Sequence, residues 1–176
     1  MARVPLIEPD ERPELEDFVE KIRGRRGGKL INVYRTLLHS PPLAESWFEH
    51  INRVRWGTGL SGRLRELVII RLGILVRSAY VLKQHVPVLA AGEGVTEEEC
   101  AALADWESSD LFSDAECAAL GYVDAMVHGG PVPDSAFKPL KNYYSDREIV
   151  ELTVMVGAYI AHSRVLQALE VDLETD

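Results

Sequence analysis

The sequence predicts an all-α protein, a helical bundle. Apolar residues recur every three or four positions along most of the chain, and period-two alternation is never sustained. Capping boxes open three apolar stretches: Thr96 with Glu99, Ser113 with Glu116, and Ser145 with Glu148. The longest apolar run, residues 67–76, is broken only by Arg71 and Gly73. Its apolar residues fall on nearly every face, as in a helix wrapped by others.

In chain order, residues 1–13, with Pro5, Pro9 and Pro13, read as an extended N-terminal arm, and residues 14–176 as one helical domain. A first helix over about 14–23 ends in the run Gly24-Arg25-Arg26-Gly27-Gly28, a solvated turn or a basic patch. A second covers about 30–38. Ser40 caps a third, with Pro41 and Pro42 in its first turn and Trp47, Phe48, Ile51 and Val54 on an apolar stripe. A turn at 58–60 leads into a central segment, 61–92, that organises the rest. Its helix breaks near Arg77 and restarts at Ala79 behind Ser78, an N-cap by residue type. Beyond Gly92 and Gly94, helices follow over about 97–106, 114–127, 134–143 and 146–169. The last carries Leu152, Val156, Tyr159, Ile160, Val165 and Leu166, more apolar surface than a small core absorbs, which points to self-association.

The chain has 176 residues, 47% hydrophobic and 27% charged, ordinary values for one globular domain. A chain of this length buries about 70% of its unfolded surface. Its net charge of −9 argues against nucleic acid and anionic membrane surfaces as partners. The first residues are acidic and lack the apolar core of a signal peptide. The central segment is too short and too charged to cross a bilayer, and no transmembrane segment is expected. Cys100 and Cys117 lie in separate helices with no Cys-x-x-Cys, so no disulfide framework is expected and the reading is cytoplasmic. His39, His50, His85, His128 and His162 are scattered without metal-ligand spacing, and no glycine-rich phosphate loop occurs. Neither a metal nor a cofactor is expected.

The candidate site lies in the central segment. Glu66, Ile70, Gly73 and Arg77 share one helical face, and Ser78, Val81, Leu82 and His85 share the next. Gly73 leaves room for a backbone or a ligand to come close. An imidazole with an ordinary pKa near 6.5 moves protons at neutral pH, and a carboxylate beside it fixes its orientation. The plainer alternative is a satisfied core histidine beside a glutamate that caps or pairs with Arg63, and spacing alone favours it. Tyr80 either donates a hydrogen bond at the site or packs. Arg71 and Arg77 pair with Glu66, with a neighbouring subunit, or with a substrate carboxylate; structural pairing is the more ordinary fate. Ser78 has no base and no GxSxG context, so it reads as a cap and not a nucleophile.

The stretches RTLLHSPPLAESW, LSGRLRELVIIRLGILVRSAYVLKQHVPVLAAGEGVTEEE and YSDREIVELTVMVGAYIAHSRVLQALEVDLE resemble the carboxymuconolactone decarboxylase family, within the alkyl hydroperoxidase D-like superfamily. Together they cover roughly half of the chain. The hydroperoxidase branch pairs a glutamate with a Cys-x-x-Cys and a histidine four residues after the second cysteine. Glu66 and His85 match the glutamate and histidine, while Ser78 and Val81 stand at the cysteine positions. The segment SAYVLKQH resembles the thiol-free branch, although Val81 and Leu82 depart from the glutamate and tryptophan often found there. The resemblance implies the alkyl hydroperoxidase D-type helical fold and a homo-oligomer; without the Cys-x-x-Cys, and with Cys100 and Cys117 elsewhere, no thiol peroxidase activity is expected. It also implies cofactor-free decarboxylation, a lyase reaction of aromatic degradation, on a small carboxylated lactone or related oxo-acid. His85 would protonate the dienolate-like carbanion left by carbon dioxide, and Glu66 would hold its tautomer. The substrate is then a small anion, with Arg77 or Arg71 for its carboxylate and Tyr80 and Ser78 as further contacts. Two alternatives stay open: a non-catalytic oligomeric protein binding a small ligand, and an isomerase or dehydratase using the same histidine. An enzyme needs His85 on a pocket, whereas a binding protein permits it to be sealed in the core.

Overall fold

The computed structural model describes residues 2–174, and among them there is no strand. The all-α expectation holds. The chain divides into two compact units, one of residues 1–53 and 165–176 and one of residues 54–164.

In the first unit the N-terminal residues are not an extended arm. Pro9–Glu11 and Pro13–Leu15 form short 3-10 turns, each begun by a proline whose fixed φ suits a first helical position. Ile7 and Leu15 are buried. The Arg3 backbone N–H donates to Leu169 O at 2.9 Å, and its guanidinium reaches Ala168 O and Glu170. Helix α1 (Glu16–Arg25) runs straight through Gly24, and α2 (Asn32–Leu37) precedes α3 (Pro41–Trp56). The rings of Phe18 and Tyr34 meet Phe48 edge-on at 5.8 and 5.5 Å. Arg26 lies over Tyr34 and Phe48 and donates to the Tyr34 hydroxyl and Asn52. That arginine therefore packs on the aromatic cluster.

The second unit is built on α4 (Gly62–Leu75), capped by the Ser61 hydroxyl, which accepts from Leu64 N at 3.1 Å. Leu67, Val68, Ile69, Ile70 and Leu72 are wholly buried, each worth about 1.5–3 kcal/mol of hydrophobic burial. Around α4 pack α5 (Ala79–Gln84), the π-helical turn His85–Leu89, α6 (Ala90–Gly92), the 3-10 stretch Leu103–Ser108 and α8 (Asp114–His128). Helices α7 (Glu97–Ala102), α9 (Asp134–Phe137) and α10 (Asp146–Ala168) complete the set. The three expected capping boxes form, at Thr96, Ser113 and Ser145. Arg63 joins two of them, its guanidinium 2.5 Å from Glu99 and 2.7 Å from Glu116. The Arg63 hydrogen bond, outweighing the effect of burial, holds the Glu99 carboxyl down to about 2. Glu66 is thus not the partner of Arg63.

Arg71 has a structural role. Its Nε and Nη2 donate to the two oxygens of Asp124 at 2.7 Å each, and Nη1 donates to Leu103 O and Ala104 O. Trp106 Nε1 adds a bond to Asp124 at 3.1 Å. The expectation that Arg71 binds a substrate carboxylate fails because its donors are already committed to Asp124 and two backbone carbonyls. The interface argument from the last helix also changes. Leu152, Val156, Tyr159 and Leu166 are buried, and the exposed large apolar residues on α10 are Val150 and Val154. By length and composition alone α10 is apolar enough to cross a membrane, contrary to expectation, but its buried residues also fit a core helix.

Asp124→Ala should lower stability by about 3 kcal/mol, because it leaves the buried Arg71 guanidinium without its counter-charge. Urea denaturation checks this; a midpoint unchanged from the parent chain would refute the clamp.

Candidate functional site

Glu66 sits in the middle of α4 with no solvent exposure. A carboxylate there needs counter-charges and donors, since burying it bare is prohibitive. His85 Nδ1 lies 2.6 Å from Glu66 Oε2 and must be the donor, because a carboxylate only accepts. Arg65 Nε donates to Oε1 at 3.3 Å, and Arg55 Nη2 stands 3.5 Å from the same oxygen. Arg65 is further held by Arg55 O at 3.0 Å and Glu93 Oε1 at 2.5 Å. A Cβ on Gly62 would lie 1.7 Å from Glu93 Oε2, so a side chain there would push Glu93 off Arg65.

The turn between α4 and α5 brings His85 back onto Glu66. Arg77 adopts φ 55°, and Ser78 N bonds Gly73 O while Arg77 N bonds Ile74 O, the hydrogen-bond pattern that closes a helix C-terminus. The Ser78 hydroxyl accepts from Val81 N at 3.5 Å, a long cap. A Cβ on Gly73 would stand 3.0 Å from Leu82 and 3.3 Å from Val81, so its absence lets α5 press close to α4. After Gln84 the helix widens into the π-helical turn that starts with His85. Such turns are rare and occur often at functional sites. Tyr159 of α10 meets the imidazole edge-on, ring centres 5.7 Å apart.

Electrostatics set the resting state. Burial alone would push the Glu66 carboxyl up, but the His85 hydrogen bond and the charges of His85, Arg55 and Arg65 outweigh it. The carboxyl lies below the usual range. Burial pushes the His85 imidazole down, Arg55 and Arg65 push the same way, and Glu66 opposes them without prevailing. At neutral pH the pair is a carboxylate and a neutral imidazole, with the proton on Nδ1 and the lone pair on Nε2. At rest Nε2 is therefore a base, and it must take up a proton before it can serve as the acid that the family resemblance implies.

Of the sequence candidates, Glu66 and His85 come together. Ser78 is buried as a cap, Tyr80 is buried, and Arg77 is exposed at the helix end. Arg55, Arg65, Glu93 and Tyr159 were not anticipated at the site. Arg55 had left a trace: it falls at i+7 from Phe48 and i+4 from Ile51, on the apolar stripe of α3. His85 is only 4% exposed. A surface cavity of about 390 Å³ between Tyr122, Phe137, Lys141, Ile149 and Val154 is not lined by it, nor is one beside Glu20 and Arg23. Among the described residues no three of His, Cys, Asp and Glu converge as metal ligands.

Residues 41–125, which span α3 to α8 and include Glu66 and His85, match the carboxymuconolactone decarboxylase family. Over 77 residues the chain is 31% identical to the uncharacterized protein YnjA of Escherichia coli (strain K12); the match covers 43% of this chain and 42% of YnjA, under half of that relative's length. A crystal structure of a protein of unknown function from Agrobacterium tumefaciens, described after the antioxidant defence protein AhpD, superposes with a TM-score of 0.74. The two are 27% identical, over 80% of this chain and 97% of that one. The debrominase Bmp8, solved as a single-residue variant in complex with 2,3,4-tribromopyrrole, gives a TM-score of 0.82 at 20% identity, over 98% of this chain and 91% of its own. At that identity Bmp8 speaks for the fold alone.

The lowered proton affinity of His85 makes stability depend on pH. The unfolded chain takes up this proton near the ordinary value of 6.5, before the folded chain does. Stability present above that pH is therefore lost as pH falls below it. The lowered Glu66 carboxyl adds a second loss below its ordinary 4.5. Melting temperatures followed from about pH 8 to about pH 5 should fall in the parent chain and fall less in His85→Asn. Parallel curves would contradict the assignment.

Proposed function

We propose, for a chain that belongs to the carboxymuconolactone decarboxylase family, that it is a cofactor-independent decarboxylase of a small carboxylated lactone or related oxo-acid. The observation that supports this reading is the buried 2.6 Å contact between His85 Nδ1 and Glu66 Oε2. With Nδ1–H held by a carboxylate, Nε2 takes a proton and the resulting imidazolium is stabilised by Glu66. In the reaction the bond to the carboxylate carbon breaks, carbon dioxide leaves, and the electron pair moves into the conjugated carbonyl. His85 Nε2–H then protonates the carbanion, and water returns a proton to Nε2. A positioned group of this kind contributes about 10²–10⁴-fold.

Thiol chemistry fits poorly. The positions of Ser78 and Val81 carry no sulfur, and burial pushes the Cys100 and Cys117 thiols up, away from the thiolate that attacks a peroxide. A second reading, a non-catalytic small-ligand-binding protein, is favoured by one observation: His85 is sealed from solvent at rest. Turnover requires Nε2 to become accessible to substrate.

Release of carbon dioxide from a panel of carboxylated lactones and oxo-acids is the test. His85→Asn keeps an N–H for Glu66 and loses Nε2, so it should fold and lose turnover about 10²–10⁴-fold. Glu66→Gln should lose less, and the double variant no more than His85→Asn, because the two act as one unit. Activity retained by a folded His85→Asn would end the decarboxylase reading in favour of the binding one. Melting curves of the same variants separate loss of fold from loss of chemistry.

A further inference from the structure

Among the described residues, Arg55 Nε is a buried polar atom with no hydrogen-bond partner. The side chain is 9% exposed. A donor sealed from water with nothing to bond costs free energy and calls for an explanation. The other two buried arginines of this unit are treated differently. Arg65 bonds Glu66, Glu93 and the Arg55 carbonyl, and Arg71 bonds Asp124 and two carbonyls. Arg55 keeps only a long 3.5 Å ion pair to Glu66 and a stacking contact with Trp56, ring centre 4.5 Å from Cζ.

We propose that Arg55 is the carboxylate-recognising residue of this site, its Nε–H receiving a small organic carboxylate beside the Glu66–His85 pair. Charge argues for it. Arg55 and Arg65 face the single fully buried carboxylate of Glu66, and the Glu93 that offsets Arg65 is two-fifths exposed. Around Glu66 there is therefore one buried guanidinium more than there are buried carboxylates. Geometry agrees: Arg55 Cζ sits 4.5 Å from the Trp56 ring centre, a contact that takes up no hydrogen-bond donor, and no acceptor among the described residues reaches Nε–H. Arg55 and His85 also attend the two oxygens of one carboxylate, so the charge on Arg55 is felt at the imidazole across Glu66. The inference deepens the decarboxylase reading by moving substrate recognition from Arg71 and Arg77 to Arg55, and it rests on that reading for the substrate class.

The groups facing His85 are Glu66 and Arg65 on α4, Arg55 on α3 and Tyr159 on α10. The positive charge of Arg55 holds the imidazole's proton affinity down. A carboxylate on Arg55 offsets that charge, so anion binding and protonation of His85 assist each other reciprocally. The catalyst would then acquire its proton when substrate arrives.

Nitrogen-resolved NMR of the whole chain tests this without turnover. Benzoate, titrated against sodium chloride at equal ionic strength, should move the Arg55 Nε–H resonance downfield in a saturable way and raise the apparent pKa of His85. Arg55→Lys keeps the charge but loses the planar donor edge, and should weaken benzoate binding about tenfold or more. No saturable response in the parent chain, an equal response to chloride, or undiminished binding in Arg55→Lys would each overturn the proposal. The parent titration decides even if Arg55→Lys fails to fold. Benzoate binding at Arg55 in a chain that releases no carbon dioxide would keep this inference and remove the decarboxylase reading. Turnover without an Arg55 response would do the reverse.

Discussion

An ionised carboxylate with no solvent exposure constrains much of the second unit. Left alone, Glu66 would cost far more than the net stability of a domain of this size. The chain meets that cost from three segments: Arg55 near the end of α3, Arg65 on α4 itself, and His85 at the start of the π-helical turn. Each must arrive within a few ångströms of the same two oxygens. The helix reversal at Arg77, the missing side chain at Gly73 and the widened turn after Gln84 bring His85 to its oxygen. Removing any one of the charged partners leaves the others uncompensated, which is why such clusters are costly to edit.

The same helix repeats the device farther along. Arg71, one turn and a residue after Glu66, is also buried and is met by Asp124, which Trp106 holds in turn. Arg63, at the solvent end, ties the capping boxes of α7 and α8. A helix with wholly buried Leu67, Val68, Ile69, Ile70 and Leu72 would slide or rotate with little penalty if its neighbours were only apolar. Four charged side chains, each matched to a fixed partner, define one register.

The scaffold does not by itself choose a chemistry. A debrominase shares this fold at 20% identity, and a fold of this kind hosts different reactions according to what occupies its site. Here the occupants are an imidazole with its lone pair outward from Glu66, an aromatic edge from Tyr159, and a guanidinium with an uncommitted donor. That set includes a nitrogen able to accept a proton, and no sulfur stands at the Ser78 and Val81 positions. Burial lowers the proton affinity of the imidazole and keeps it neutral. The closed resting state and the protonation state thus have one physical origin, the low polarity of the surroundings.

What the sequence determined by itself was local. Serine and threonine caps followed by glutamate, the all-round apolar run of α4, and the stop at Arg77 and Ser78 each depend on residues a turn or two apart, so the helices could be read in order. The proximity of Glu66 and His85 followed from a short reversal between adjacent helices, helped by the family resemblance. What only the tertiary structure decided was every partner distant along the chain. Arg71 belongs to Asp124, Arg63 to Glu99 and Glu116, and Tyr159 to the imidazole and not to a surface. The N-terminal residues, which read as an arm, turn into 3-10 helix with Ile7 buried. Periodicity tells which face of a helix is apolar but not which helix will cover it. An arginine's partner is set by that covering, through loop lengths and packing that no window of neighbouring residues contains.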